Sequence, residues 1–203
     1  VGRRGRERLR ELGISLAGEV SGLSEDFWVR KFGKWGAFLY KRSLGLGSDR
    51  LETESEPKSE SAENTFERDT SDRALLRKWL LSQSERVGRN LRAMGVKGRT
   101  VTLKLKYSDF RQVTRSRTLA QPTNGTERIH EAACRLLDEL RLSGPVRLIG
   151  VGVSNFETRN RQLSLLPDQN DERRERLDQA LDSIRDKFGR DSLVRGELFG
   201  FKR

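Results

Sequence analysis

Between Val101 and Tyr107 the chain alternates, with Leu103 and Leu105 separated by Thr102, Lys104 and Lys106. A period of two predicts a strand with one buried face and one basic face. Upstream the period changes. Leu75, Leu76, Trp79, Leu80, Val87, Leu91 and Met94 mostly recur at helical spacing, and predict a long helix. Capping residues Asp69-Thr70-Ser71-Asp72 stand before it and Gly95 after it. Lys58 to Glu67 reads as a strand ahead of that helix. Val113 to Ala120 predicts another strand, with Arg115 and Arg117 on one face and Thr114, Ser116 and Thr118 on the other. Ile129, Ala132, Ala133, Leu136, Leu137 and Leu140 mark the inner side of a helix from Thr126, and Pro145 opens a last strand, Val146 to Ser154. The order β-α-β-β-α-β is a split βαβ arrangement, two helices over one face of a four-stranded sheet. The fold class is therefore α+β, and the face away from the helices is expected to display Lys and Arg.

The flanks differ from this centre. Residues 1–45 read as short helices punctuated by glycine. Arg6 to Leu12 is stopped by Gly13, Ser15 and Ser24 are candidate caps, and Phe27, Trp28, Phe32, Trp35, Phe38, Leu39 and Tyr40 supply apolar faces. Helices this short need one another, or a ligand, to persist. Residues 46–57 are acidic and almost without apolar side chains, the composition of a linker. Residues 58–156 hold the mixed domain and 157–203 a tail. Within the tail, 171–188 predicts a charged amphipathic helix with Leu177, Ala180, Leu181, Ile184 and Phe188 on one side.

Charge sharpens the picture. Residues 71–156 hold 17 Lys/Arg against 7 Asp/Glu and residues 1–50 hold 11 against 6, whereas residues 51–70 hold 2 against 7. Two basic blocks around an acidic stretch point to a polyanion, with nucleic acid first. No apolar run approaches the roughly 20 residues of a membrane span, so no membrane partner is expected. The basic start leads into no apolar leader segment. It lacks Met and falls inside a motif, the expectation for a fragment of a longer chain. The single cysteine, Cys134, fits a reducing cytoplasm.

Catalytic candidates are poor. His130, at the start of a helix, is expected at the surface, and Cys134, one turn on, in the core. Asp109 has no obvious carboxylate partner, while Glu52, Glu54 and Glu56 alternate in the linker. A two-metal phosphoryl-transfer site needs several carboxylates converging on ions about 4 Å apart. No phosphate-binding Walker loop or zinc spacing is present. Arg115 and Arg117 can position phosphates without reading sequence. Equally, a basic edge strand can be a solvated face that resists aggregation.

Three blocks carry a resemblance. Glu56-Pro57-Lys58-Ser59 with Asn64-Thr65-Phe66 and Asp69 comes first. Val101 to Phe110 with Thr114 to Leu119 is the second, and Pro145 to Ser154 the third. In order and spacing they resemble the little finger of Y-family translesion DNA polymerases of the bacterial DNA polymerase IV type. Leu9 to Ile14 and Phe32-Gly33-Lys34 resemble the same family's thumb, and Val1 to Leu9 the second half of a helix-hairpin-helix. The resemblance implies a DNA-binding thumb remnant, residues 1–45, and a little finger, residues 58–156. DNA contacts are expected at Gly2, Arg3, Gly33, Lys34, Lys58, Ser59, Lys104, Lys106, Arg115, Ser116, Arg117, Thr118 and Arg147. It further implies primer–template DNA as partner, palm and fingers domains in the intact protein, Mg²⁺ as that protein's cofactor, and a bacterial cytoplasm and nucleoid as location. Arg161 to Leu166 is similar to the bacterial sliding-clamp-binding peptide, with Gln162, Leu163, Ser164, Leu165 and Leu166 as the expected contacts. Two positions depart from the pattern: Glu60 stands where an apolar residue is common, and Gly5 where a hydroxyl often follows the hairpin. The catalytic carboxylates are not in this chain, so a non-enzymatic DNA-binding or clamp-adaptor protein is the alternative reading.

Overall fold

The computed structural model describes residues 1–47, 57–157 and 169–201, with side chains in the last stretch from Arg173. The chain divides into two compact units, Val1–Ser55 and Glu56–Arg203.

In the first unit, α1 (Arg3–Arg10), α2 (Glu25–Phe32) and α3 (Lys34–Ser43) surround a small core of Leu9, Val20, Trp28 and Leu39. Trp28 is fully buried, and its indole N–H donates to the Val20 carbonyl at 2.8 Å, so the largest core side chain leaves no polar atom unpaired. Ser24 caps α2, its hydroxyl accepting from the Phe27 N–H at 3.2 Å. Ser15, the other expected cap, does not serve. The Glu19 carboxylate takes both the Ser15 and Leu16 N–H groups, at 2.7 and 3.0 Å, because an acid three or four residues on can accept two donors at once. Those bonds hold the Glu19 carboxyl below its ordinary range. Between α2 and α3 there is no loop, since Gly33, at φ 61°, is the cap of both. Gly36 lies against α2 so closely that an added Cβ would stand 1.9 Å from the Trp28 carbonyl oxygen. The crossing therefore requires glycine.

The second unit begins with β1 (Ser59–Thr70), α4 (Arg73–Ala93), β2 (Gly98–Tyr107) and β3 (Gln112–Thr123). It continues through α5 (Thr126–Glu139) and β4 (Val146–Phe156) to α6 (Gln169–Phe188). Asp72 caps α4 through the Ala74 and Leu75 N–H groups. The sheet order is β1-β4-β2-β3 with every neighbouring pair antiparallel, so the last strand splits the first two. This is the α+β architecture that the periodicity predicts. Helices α4 and α5 pack on one face over Val101, Leu103, Leu105, Ile149, Val151 and Val153. Arg73 ties the helices together, donating to the Leu137 and Leu140 carbonyls at the end of α5, where a cation is favoured. Glu60, the polar departure in β1, accepts from Asn90 of α4 at 2.6 Å, so its place beneath the helix is filled by a hydrogen bond.

Helix α6 corrects the expectation drawn from its apolar stripe. Leu177, Ile184 and Phe188 are exposed, and the buried side carries Asp178, Leu181 and Arg185. The buried groups pair with α4 and with the chain beyond α6. Arg185 and Arg195 both meet Glu85, Arg195 and Arg92 both meet Asp178, and Arg92 also meets Asp182. Leu198 and Phe201 add apolar anchors, the Phe201 ring standing 5.0 Å from that of Trp79. The helix docks through charge around the single buried Leu181, and Leu177, Ile184 and Phe188 face outward.

Candidate nucleic-acid interface

Cross-strand partners in an antiparallel pair share a face, so the register assigns the side chains of the paired residues. Lys104 lies opposite Gly150 and Thr114, Thr102 opposite Gly152 and Ser116, and Thr100 opposite Ser154 and Thr118. On the far side of β4, Ser61 pairs with Gly152 and Glu63 with Gly150. The face away from the helices is thus a floor of hydroxyls crossed by a strip with no side chains at Gly150 and Gly152. A Cβ on Gly150 would come within 2.6 Å of the Glu63 side chain. The Lys104–Glu63 ion pair spans Gly150, so the strip is low at Gly152, and there another molecule's backbone can come close to the sheet.

Cations gather at one end of this floor. Lys104 donates to both Glu63 oxygens at 2.8 Å. Lys106 and Arg147 converge on the Phe110 ring, 4.9 and 5.0 Å from its centroid. Among the described residues Arg147 meets one carboxylate, the distant Asp69 at 3.9 Å. The expected contacts Lys104, Lys106, Ser116, Thr118 and Arg147 are therefore brought to one side, with Ser59 at the far end of β1 and Lys58 exposed just before it.

Arg115 and Arg117 are not on that side. They lie opposite Leu103 and Val101, hence on the helix-bearing face of the edge strand β3. Arg117 pairs there with Glu139 at the end of α5, while Arg115 is exposed. The expectation that the open face displays these arginines is corrected. The apolar Val113 and Leu119 share their parity, and those two residues turn that parity towards the core. In the first unit, Gly2 precedes α1 and Arg3 pairs with Glu7 at 3.1 Å, while Lys34 is an exposed residue at the start of α3. The clamp-peptide residues Gln162 to Leu166 lie outside the described residues.

His130 is half-buried rather than a surface residue. Its Nε2 stands 3.3 Å from the Arg77 carbonyl and 3.2 Å from the Cys134 Sγ. Burial pushes the imidazole below its ordinary value, and pushes the Cys134 thiol up. Neither group opens onto the sheet floor. Asp109 is exposed and accepts the Arg111 N–H at 2.9 Å, a turn role. Among the described residues no three His, Cys, Asp or Glu groups are placed to share a metal ion, and no helix is long and apolar enough to cross a membrane.

The sequence reading missed the conformation of Phe110, in the loop beyond the cationic end of the floor. Its φ of 65° lies in the left-handed region, and no composition signal marks a bulky residue in such a position.

Comparison with known proteins places this geometry. Residues 57–165 match the impB/mucB/samB family C-terminal domain. Over its whole length the chain is 34% identical to 52% of a DNA polymerase IV of Dehalococcoides mccartyi strain CBDB1. Over 93% of its length it is 38% identical to 49% of that of Desulfatibacillum aliphaticivorans. Over 74% of its length it is 41% identical to 32% of that of Streptomyces coelicolor. The chain spans about half the length, or less, of the curated relatives it matches. It belongs to the impB/mucB/samB family, as a C-terminal region of the DNA polymerase IV type.

Proposed function

We propose that this region grips primer–template DNA through the phosphate backbone, as the little finger and part of the thumb of a translesion polymerase. The observation that carries the reading is the open sheet face. The strip at Gly152, flanked by hydroxyls, admits a backbone, and Lys106 and Arg147 at its end supply counter-charge for phosphates. Lys104 adds its own once a phosphate takes the place of Glu63. Contacts to phosphate position a duplex without reading its sequence, as a template-copying enzyme requires. Ser59, Ser116 and Thr118 supply hydroxyl donors on the same floor, and Lys58 extends its charge. Arg115 and Arg117 reach phosphates from around the β3 edge. Gly2, Arg3, Gly33 and Lys34 hold the duplex from the first unit. In the intact protein the palm and fingers carry the nucleotidyl transfer with Mg²⁺, and the Gln162 to Leu166 peptide recruits the enzyme to a sliding clamp in the cytoplasm at the nucleoid.

Salt dependence of duplex binding tests the grip. Each neutralised phosphate contributes about 0.9 to the slope of log affinity against log salt. Lys106→Ala with Arg147→Ala, and separately Arg115→Ala with Arg117→Ala, should each flatten the slope by up to about one unit for every phosphate left without its cation. Affinity should vary little with base sequence. If both double variants keep the parental slope, these cations form a solvated surface and the reading fails.

A further inference from the structure

Phe110 closes a three-residue loop between β2 and β3. The Phe110 N–H donates to the Tyr107 carbonyl at 2.9 Å, and the Tyr107 N–H to that of Arg111 at 2.9 Å. The last residue of such a loop takes the left-handed conformation, and glycine or asparagine is its ordinary occupant. Here it is a phenylalanine at φ 65° that remains 60% exposed. Burial does not offset the backbone strain, because most of the ring is in water. The ring's packing partners are the Lys106 and Arg147 cations over it, contacts that are weak at an exposed site. An outlier of this kind, held by the surrounding hydrogen bonds, invites a functional account.

The ring's neighbours indicate the ligand. Lys106 and Arg147 stand within 5.0 Å of its centroid, one from β2 and one from β4, at the cationic end of the glycine and hydroxyl floor. An exposed aromatic ring carrying two cations matches the chemistry of an unpaired nucleotide, whose phosphates draw the cations off the ring while its base stacks on the face they leave. A base inside a duplex is stacked on its neighbours and has no face to offer.

We infer that Phe110 is a stacking platform for an unpaired base next to the duplex held on the sheet, with Lys106 and Arg147 on its flanking phosphates. This rests on the duplex-binding reading above and deepens it, assigning a side chain to the unpaired nucleotide at the junction that primer–template DNA contains.

The full chain is titrated with two fluorescent DNAs, a blunt duplex and the same duplex with a single-stranded overhang whose first unpaired base is 2-aminopurine. Parent protein is expected to prefer the overhang DNA and to quench the 2-aminopurine. Phe110→Asn suits the left-handed backbone, so the hairpin is retained while the ring is removed. It should abolish the quench and lower the overhang affinity about tenfold, with blunt-duplex binding unchanged. Phe110→Trp should retain both. Overhang preference and quenching that persist in Phe110→Asn, alongside normal blunt-duplex binding, would overturn this inference alone. Parent protein that binds neither DNA would overturn the duplex reading and this inference with it.

Discussion

Replacing Asp178 by Ala removes one carboxylate that three partners share. Its Oδ2 accepts the Thr126 N–H at 2.8 Å and the Arg92 guanidinium at 3.2 Å, and its Oδ1 accepts Arg195 at 3.0 Å. Thr126 opens α5 behind Gly125, whose lack of a side chain leaves the helix without a local cap. Asp178 of α6 therefore caps a helix to which it does not belong. Losing a cap costs about 1 kcal/mol. Breaking a buried ion pair outright costs about 3–5 kcal/mol. Here the guanidiniums are not abandoned. Arg92 keeps Asp182 at 2.6 and 3.1 Å, and Arg195 keeps Glu85 at 3.1 Å. The expected total is about 2–3 kcal/mol, or roughly 5–10 °C in melting temperature for a unit of this size. Urea and thermal melts followed by circular dichroism read the change. Asp178→Asn, which can still accept the Thr126 N–H but carries no charge, should fall between parent and Asp178→Ala. Exposed Asp191→Ala serves as the control. A change in Asp178→Ala below about 0.5 kcal/mol, the range of ordinary surface substitutions, would refute the tertiary cap.

Gly36→Ala should destabilise the first unit by several kcal/mol, on the order of 3, because the new methyl meets backbone that cannot turn aside. Trp28 fluorescence, isolated by replacing the other tryptophans, would follow the unfolding. Burial lowers the folded-state value of His130 below its ordinary 6.5, so the unfolded chain takes up a proton first as pH falls. Stability of the second unit should be full above about pH 6.5 and decline below it, and His130→Gln should flatten that decline in melts from pH 7.5 to 5. Leu163→Ala with Leu165→Ala should abolish binding to a bacterial sliding clamp, expected at micromolar affinity or about −8 kcal/mol, while duplex affinity is unchanged. Retained clamp binding, measured by surface plasmon resonance, would remove the peptide from the account.

Legibility in the sequence followed the physics of each element. Strand β2 was readable because one face is wholly apolar, and α5 because its buried residues recur every three or four positions. The facing of β3 was legible in principle: Val113 and Leu119 share the parity of Arg115 and Arg117, and two apolar side chains outweigh two arginines that can reach past an edge. Helix α4 was harder. Beyond its apolar row it also buries Gln83, whose amide donates to the Ile149 carbonyl of β4, and Glu85, which Arg185 and Arg195 of the C-terminal segment cover. Helix α6 misled a reading by hydrophobicity, since most of what it buries is ionic and Leu181 alone of the expected stripe is buried. The usable signal was the row Glu175, Asp178, Asp182 and Asp186, acids at helical spacing able to face Arg89, Arg92 and Lys97. Phe110 left no signal, because its meaning lies in a backbone angle.

The sheet order bears on how this chain acquires its structure. Among the described residues β1 pairs with β4 alone, with Ser59 opposite Ser154, and β2 also leans on β4 along its length. Until residues 146–156 exist, the chain holds one hairpin, β2 with β3, and a first strand with nothing to pair with. Closing a loop of that length precedes any reward from the pairing it permits, so folding should be slow for its size and close to all-or-none. A ribosome-bound chain ending before Val146 should therefore be open to proteases across β1, and should become resistant only after Phe156 has emerged.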